Sequence, residues 1–246
     1  MSFFRSLRRL HRAPKSSEGR DGWTEVAWAQ AGTDFYSHHF VALQPILNRR
    51  RRIFGYEALY RSGWENRFIG DPDLATQAMI DHWLLHGLDQ LVGDCRTFVN
   101  CTRDSLTGMS LSLLPTTVVL ELLETIEPDT EVLAACRKLK TLGYQIALDD
   151  FQLSDKSDEL LEVTDYVKVD FRISDKEQRK DVLRRLKKSG VTLVAEKIEA
   201  REEYETALAE GFHLFQGYYL ARPALFARRK ISLSDIHHFR LAEALA

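Results

Sequence analysis

The 246 residues carry 34 lysines and arginines against 36 aspartates and glutamates, a formal charge of −2, which excludes the basic surface of a general DNA or RNA binder. An apolar fraction of 44% supports a substantial core, and the length suits one large domain or two small ones. No apolar run approaches the roughly 18 residues of a membrane span, and Cys95, Cys101 and Cys136, scattered with no C-x-x-C pair, read as reduced core thiols of a cytoplasmic protein.

Residues 1–33 read as a basic N-terminal tail. Phe3, Phe4, Leu7 and Leu10 recur at helical spacing, which fits an interfacial or docking helix as well as a frayed leader. The polar run Pro14–Gly22 reads as a disordered linker and favours the leader over membrane contact. Order is expected near Phe40, within a domain spanning 34–228. Val41–Ile46 and Ile53–Tyr60, separated by the polar turn Asn48–Arg52, predict an antiparallel hairpin. The run Arg49–Arg52 reads as a solvated turn before it reads as a phosphate site.

Asp73–Val92 predicts a helix with Ile80, Trp83, Leu84, Leu88 and Leu91 in one apolar stripe. Its His82 and His86 stand at metal-ligand spacing, but no acid is placed as in H-E-x-x-H, so they read as ordinary histidines. Strand Arg96–Cys101 follows, then an irregular stretch to Pro115 and strand Thr117–Leu122. The helix Asp129–Leu142 turns Val132, Leu133, Cys136 and Leu139 inward and stops at Gly143. Strand Gln145–Phe151, polar loop Gln152–Asp158, short helix Glu159–Val163 and strand Tyr166–Phe171 come next. Helix Asp175–Ser189 turns Val182, Leu183 and Leu186 inward. Strand Val191–Ile198, helix Glu202–Glu210 and a last strand Leu214–Leu220 complete the pattern. Strand and helix alternate, which predicts an α/β fold: a modified TIM (β/α)8 barrel whose first strand is antiparallel. Residues 229–246, with Ile236, Phe239, Leu241 and Leu245 at helical spacing, read as a terminal helix or a linker stub.

One grammar recurs: a short apolar run ends in a polar group. Phe98-Val99 reaches Asn100, Val118-Val119-Leu120 reaches Glu121, and Ile146-Ala147-Leu148 reaches Asp149-Asp150. Val167-Lys168-Val169 reaches Asp170, Leu193-Val194-Ala195 reaches Glu196, and Leu214-Phe215 reaches Gln216. A parallel barrel presents polar groups to its active face in this way, and crowded carboxylates there must protonate or share cations. Singly, each residue has a plainer explanation. Glu57 would be a surface acid at a strand end, Asn100 a turn former, Asp149-Asp150 a helix cap, and Lys168 a rim partner of Asp170.

Taken in order, these segments resemble the EAL family of cyclic di-GMP phosphodiesterases over about residues 40–225. Glu57-Ala58-Leu59 with Arg61 resembles the signature itself, and Gln44-Pro45-Ile46 the segment before it. Phe98-Val99-Asn100, Leu120-Glu121-Leu122, Ala147–Phe151, Lys168-Val169-Asp170, Ala195–Glu199 and Gln216-Gly217-Tyr218 follow in the family's order. The style is closest to the branch in which an EAL domain precedes an HDOD domain, a region not present in these 246 residues, so the chain is either a fragment or a domain that stands alone.

The resemblance implies roles. Glu57, Asn100, Glu121 and Asp149 would hold one metal, with Asp149 bridging to a second near Asp150 and Glu196. Hard oxygen donors imply two ions of the Mg²⁺ or Mn²⁺ class. Glu57, Lys168, Glu196 and Gln216 would form the catalytic set, with Lys168 beside the attacking water. Gln44, Arg61, Asp170 and Glu199 would meet the substrate, with Gln216 and Glu199 also orienting water and ligands. The implied activity opens cyclic di-GMP to linear pGpG. A homodimer, a regulatory protein and a C-terminal domain are the further partners it implies.

The sequence departs from the family after Phe151. Gln152-Leu153-Ser154-Asp155-Lys156-Ser157-Asp158 has no glycine, where the family carries a Gly-Thr-Gly-type loop that places the second metal and shapes a dimer contact. The alternative to hydrolysis is therefore a weak or inactive domain serving as a cyclic di-GMP receptor or protein-interaction module. Retention of every acid favours hydrolysis.

Overall fold

The structure, a computed structural model, describes residues 23–26, 38–60, 71–86, 89–153 and 157–229. The hairpin expected from the sequence is β2, His38–Asn48, and β3, Ile53–Tyr60. Strands β4 (Arg96–Cys101), β5 (Val118–Leu122), β6 (Gln145–Leu148), β7 (Tyr166–Asp170), β8 (Thr192–Glu196) and β9 (Leu214–Phe215) follow. Strands β3 to β9 are parallel neighbours, and β2 lies antiparallel to both β3 and β9. These eight strands close a barrel with one antiparallel member, as the alternation of elements predicts.

Two further strands extend the sheet from β2. Ala224–Arg229 (β10) pairs with the first half of β2, and Trp23–Val26 (β1) pairs with β10, both antiparallel. Four residues of the segment read as a tail thus form a strand. The rest of that segment, and the helix expected within 229–246, lie outside the described residues apart from Arg229 itself.

The helices pack outside the barrel. Asp129 and Asp175 accept hydrogen bonds from the first turns of Thr130–Thr141 and Lys176–Leu186, the side-chain caps their positions predict. Val132, Leu133, Cys136, Leu139, Val182 and Leu186 are all buried, as expected. The stretch read as Asp73–Val92 is Pro72–His86 and Asp89–Val92, with residues 87–88 and the side chains of His82 and His86 outside the described set. Its stripe is Thr76, Met79, Ile80 and Trp83, while Leu84 is exposed. At about 100° per residue, Leu84 falls roughly 90° from the centre of that stripe.

Two apolar layers result. Ile46, Phe98, Val119, Ala147, Tyr166, Val194 and Leu214 pack against one another inside the barrel. Val99, Leu120, Ile146, Val167, Val169 and Phe215, on the opposite faces of the same strands, join the layer under the helices. The turn after β2 is tied down rather than merely solvated. Arg49 donates to Phe212 O at 2.6 Å and Leu208 O at 3.1 Å, at the C-terminus of the helix Arg201–Glu210, and Arg51 stacks on Tyr204.

Candidate active site

Side chains on a strand alternate between faces, so a residue two positions beyond an interior one also points inward, one layer higher. Two residues past Phe98, Val119, Ala147, Tyr166, Val194 and Leu214 stand Asn100, Glu121, Asp149, Lys168, Glu196 and Gln216. Strand β2 runs the other way, so its equivalent is Gln44, two residues before Ile46 and directly opposite Glu57 on β3. Every polar strand-end residue of this layer therefore faces a single mouth. Backbone bonds hold them there: Asp149 N donates to Leu122 O at 3.0 Å, and Gln216 N to Ala195 O at 2.9 Å. Thr76 Oγ1 fixes the carbonyl of Asn100 at 3.0 Å.

Lys168 is the centre of the layer. Its ammonium lies 2.9 Å from Asp149, 2.9 Å from Glu196 and 3.8 Å from Glu57, and it donates to Glu121 as well. Glu57 also accepts from Gln216 Nε2, which reaches Gln44 Oε1 at 3.1 Å, and Gln44 Nε2 donates to Ala221 O. Lys168, Glu57, Glu121, Glu196, Gln44 and Gln216 are all buried.

Four carboxylates against one ammonium leave three negative charges uncompensated if all are ionised. Burial pushes Glu121 and Glu196 well above the usual carboxylate range, against the pull of Lys168. Burial is the largest influence on Asp149 and would raise it too, but Lys168, a hydrogen bond with Glu121 and the charge of Lys197 together outweigh it, and the net direction is down. Burial disfavours the charged Lys168, yet the surrounding acids hold its pKa well above the usual lysine value, so it remains an ammonium. Glu121 Oε2, Glu196 Oε1, Asn100 Oδ1 and Gln216 Oε1 are buried without a hydrogen-bond partner. Orphaned hard oxygen acceptors among crowded carboxylates are a donor set that suits a hard divalent cation.

A second tier lies nearer solvent. Lys197 Nζ is 2.9 Å from both oxygens of Asp150 and 2.6 Å from Asp170 Oδ2. Asp150 therefore engages Lys197 rather than Lys168. Asp170 also accepts from Arg172 N at 2.6 Å and is buried. Glu199 is exposed and pairs with Arg172. Oxygens of Glu124, Asp149 and Asp150 lie within 4.8 Å of one another.

Two neighbouring clefts, which share Leu123, adjoin the mouth. One of about 540 Å³ is lined by Glu124, Asp149, Asp150, Phe151 and Ile173, and one of about 200 Å³ by Tyr60, Thr76, Met79 and Asn100.

Comparison with protein families matches residues 96–223 to the EAL domain. This chain belongs to the EAL domain family. It is 34% identical over 215 residues to YuxH of Bacillus subtilis (strain 168), covering 84% of this chain and 53% of that protein. It is 33% identical over 199 residues to the cyclic di-GMP phosphodiesterase CdgJ of Vibrio cholerae serotype O1, covering 78% and 46% respectively. The chain thus spans about half the length of these relatives. Among solved structures, the EAL-domain protein YkuI of Bacillus subtilis, in complex with cyclic di-GMP and calcium, superposes with a TM-score of 0.64 at 22% identity. That match covers 86% of this chain and 63% of YkuI. A standalone EAL protein of Vibrio cholerae O395 bound to cyclic di-GMP gives 0.57 at 24% identity, covering 75% and 91%. At these identities the structures establish the shared fold.

Within this EAL domain, barrel closure brings together Gln44, Glu57, Glu121, Asp149, Lys168, Glu196 and Gln216, with Asn100 in the same layer. Asp150, Asp170 and Glu199 form the outer tier, and Arg61 lies outside the described residues. Sequence reasoning gave no role to Lys197, Arg172 or Glu124. Lys197 sits inside the Ala195–Glu199 motif. Its signal was a lysine directly after a strand-end acid, which sequence alone cannot distinguish from a solvated side chain. Among the described residues no helix is long and apolar enough to cross a membrane.

Proposed function

We propose that this EAL domain is a divalent-metal-dependent phosphodiesterase that hydrolyses cyclic di-GMP to linear pGpG in a bacterial cytoplasm. The convergence of Glu57, Glu121, Asp149 and Glu196 on Lys168, with buried oxygens left unpartnered, carries the reading. Its kinship with a cyclic di-GMP phosphodiesterase at 33% identity supports the substrate.

In this reading Glu57, Asn100, Glu121 and Asp149 hold one Mg²⁺ or Mn²⁺, and Asp149, with Asp150 and Glu196, meets a second. When bound, such ions supply a hydroxide nucleophile and neutralise the leaving oxygen. Lys168, kept protonated by its four acids, stabilises charge on the phosphoryl oxygens and donates to the attacking water. Gln216 fixes Glu57, and Gln44 fixes Gln216, so both amides orient the ligand set. Gln44, Asp170, Glu199 and Arg61 remain the proposed substrate-facing residues. The hydrogen bonds of Gln44 and Asp170 make them positioning groups, whereas Glu199 presents its carboxylate at the rim. The neighbouring clefts beside Asn100 and Asp149 offer concave surface for parts of the substrate.

The test is purified chain with cyclic di-GMP in Mn²⁺, with products separated by chromatography. Formation of pGpG that disappears in Glu57→Ala is the expected result. Calorimetric binding without turnover would replace hydrolysis with a receptor role, and neither heat nor product would overturn both.

A further inference from the structure

The acids at the mouth divide between two lysines. Lys168 serves Glu57, Glu121, Asp149 and Glu196, whereas Lys197 serves Asp150 and Asp170. Asp149 and Asp150 are adjacent in sequence, yet their carboxylates answer to different cations.

The backbone is shaped to make this so. Asp150 has φ +44° and Lys197 has φ +56°, both in the left-handed region that costs a side-chain-bearing residue about 1 kcal/mol or more. The turn at Asp150 aims its carboxylate at the C-terminal end of β8, and the turn at Lys197 sends its ammonium back to meet it. Both Asp150 oxygens are occupied at 2.9 Å, and Asp170 closes the same ammonium at 2.6 Å. An ammonium gripped by three carboxylate oxygens sits as a bound cation would.

The position is also where a second divalent ion would compete. Asp149 and Asp150 lie with Glu124 within reach of one ion, and Glu196 beside Asp150 has a buried, unpartnered oxygen. We propose that Lys197 is a resident cation on the Asp150 side of the mouth, so that divalent ions fill this site in order: one tightly at the inner acids, and a second only by displacing the Lys197 ammonium. Lys197 is thereby a positioning residue that sets the metal threshold of the domain. Its side chain is 47% exposed, so it can leave the pair for solvent without unfolding anything.

This inference rests on the metal-dependent reading above, and its test reads metal rather than turnover. Mn²⁺ binding to the full chain is counted by electron paramagnetic resonance of the free ion and by calorimetry. Wild type is expected to take one ion tightly and a second about tenfold or more weakly, because a positive charge a few ångströms away opposes it. Lys197→Gly removes the ammonium and relaxes the positive φ, so misfolding does not confuse the result. It should bring the second dissociation constant down by about tenfold or more, and Lys197→Met should do the same. Lys197→Arg, which keeps the charge, should retain the wild-type pattern.

Two equally tight ions in wild type, or an unchanged second constant in both Lys197→Gly and Lys197→Met, would overturn the proposal and leave the phosphodiesterase reading standing. No Mn²⁺ bound to any form would overturn both.

Discussion

Glu57 and Gln216 are 159 positions apart in the chain and share a buried hydrogen bond at the mouth of the barrel. The bond exists because β2 pairs with β3 on one edge and with β9 on the other, which closes the ring. Gln216 donates to the Glu57 carboxylate and, in the proposed reading, holds it in place for the metal. Gln216→Ala is expected to lower turnover or metal affinity by about 10–100-fold while leaving the melting temperature near wild type. Gln216→Glu should do more damage, because it sets a second carboxylate against Glu57. Steady-state kinetics and a Mn²⁺ titration of both variants check this, and wild-type behaviour in Gln216→Ala would remove the positioning role.

Lys168 is buried among four acids, and truncating it leaves them facing one another. Lys168→Met is expected to destabilise the metal-free chain by about 3–5 kcal/mol. Saturating Mn²⁺ should restore much of that loss, since the ion supplies the missing positive charge. Turnover should fall by about 10²-fold or more even in Mn²⁺. Urea unfolding with and without the ion separates the two effects; a variant as stable as wild type without metal would contradict the ion network described.

Gly217 approaches the Ile198 backbone so closely that an added Cβ would lie 2.1 Å from the Ile198 carbonyl oxygen and 2.3 Å from its nitrogen. Ile198 N donates to Gln216 O, and Tyr219 N donates to Ile198 O, so the two segments cannot separate cheaply. This contact also ends β9 at Phe215, where the sequence reading carried the strand on to Leu220. Gly217→Ala is expected to lower stability by several kcal/mol (about 2–4) and to displace Gln216 with it. Thermal unfolding should show a lowered midpoint, and a full-length crystal structure of the variant should show Gln216 detached from Glu57.

His213 accepts a hydrogen bond from Leu193 N at Nδ1, 3.0 Å away, which requires a neutral ring at that nitrogen. Burial, assisted by the nearby Arg49, lowers its pKa below the ordinary 6.5. A depressed folded-state pKa contributes stability that is present above about pH 6.5 and lost as the pH falls through the folded value. Wild type should therefore lose melting temperature between pH 7 and pH 5 more steeply than His213→Asn, which keeps an acceptor and cannot titrate. Parallel slopes for the two proteins would show that His213 carries none of the acid sensitivity.

Much of this molecule was readable from the chain. Aspartates at 129 and 175 announce helix starts because their carboxylates reach the first free amides, and Gly143 and Gly211 stand at helix ends, whereas the helix read as running to Ser189 ends at Leu186. The alternation of apolar and polar positions in Tyr166–Asp170 already fixes that Lys168 and the helix-facing Val167 and Val169 point opposite ways. Strand periodicity is local and needs only neighbours, so the phase of each such strand is legible in its residues, whereas the roles of the inner acids, Asn100 and Lys168 were implied by the resemblance to the EAL family.

The tertiary structure alone decided which charge answers to which. The split of Asp149 and Asp150 between Lys168 and Lys197 depends on two left-handed turns and on the spacing of β6, β7 and β8, none of which a run of residues encodes. The same holds for Gln44 and Gln216 becoming neighbours, for Glu124 joining Asp149 and Asp150, and for Trp23–Val26 finding β10. Strand order and ring closure set the distances between segments far apart in sequence, and a Coulomb interaction depends on that distance.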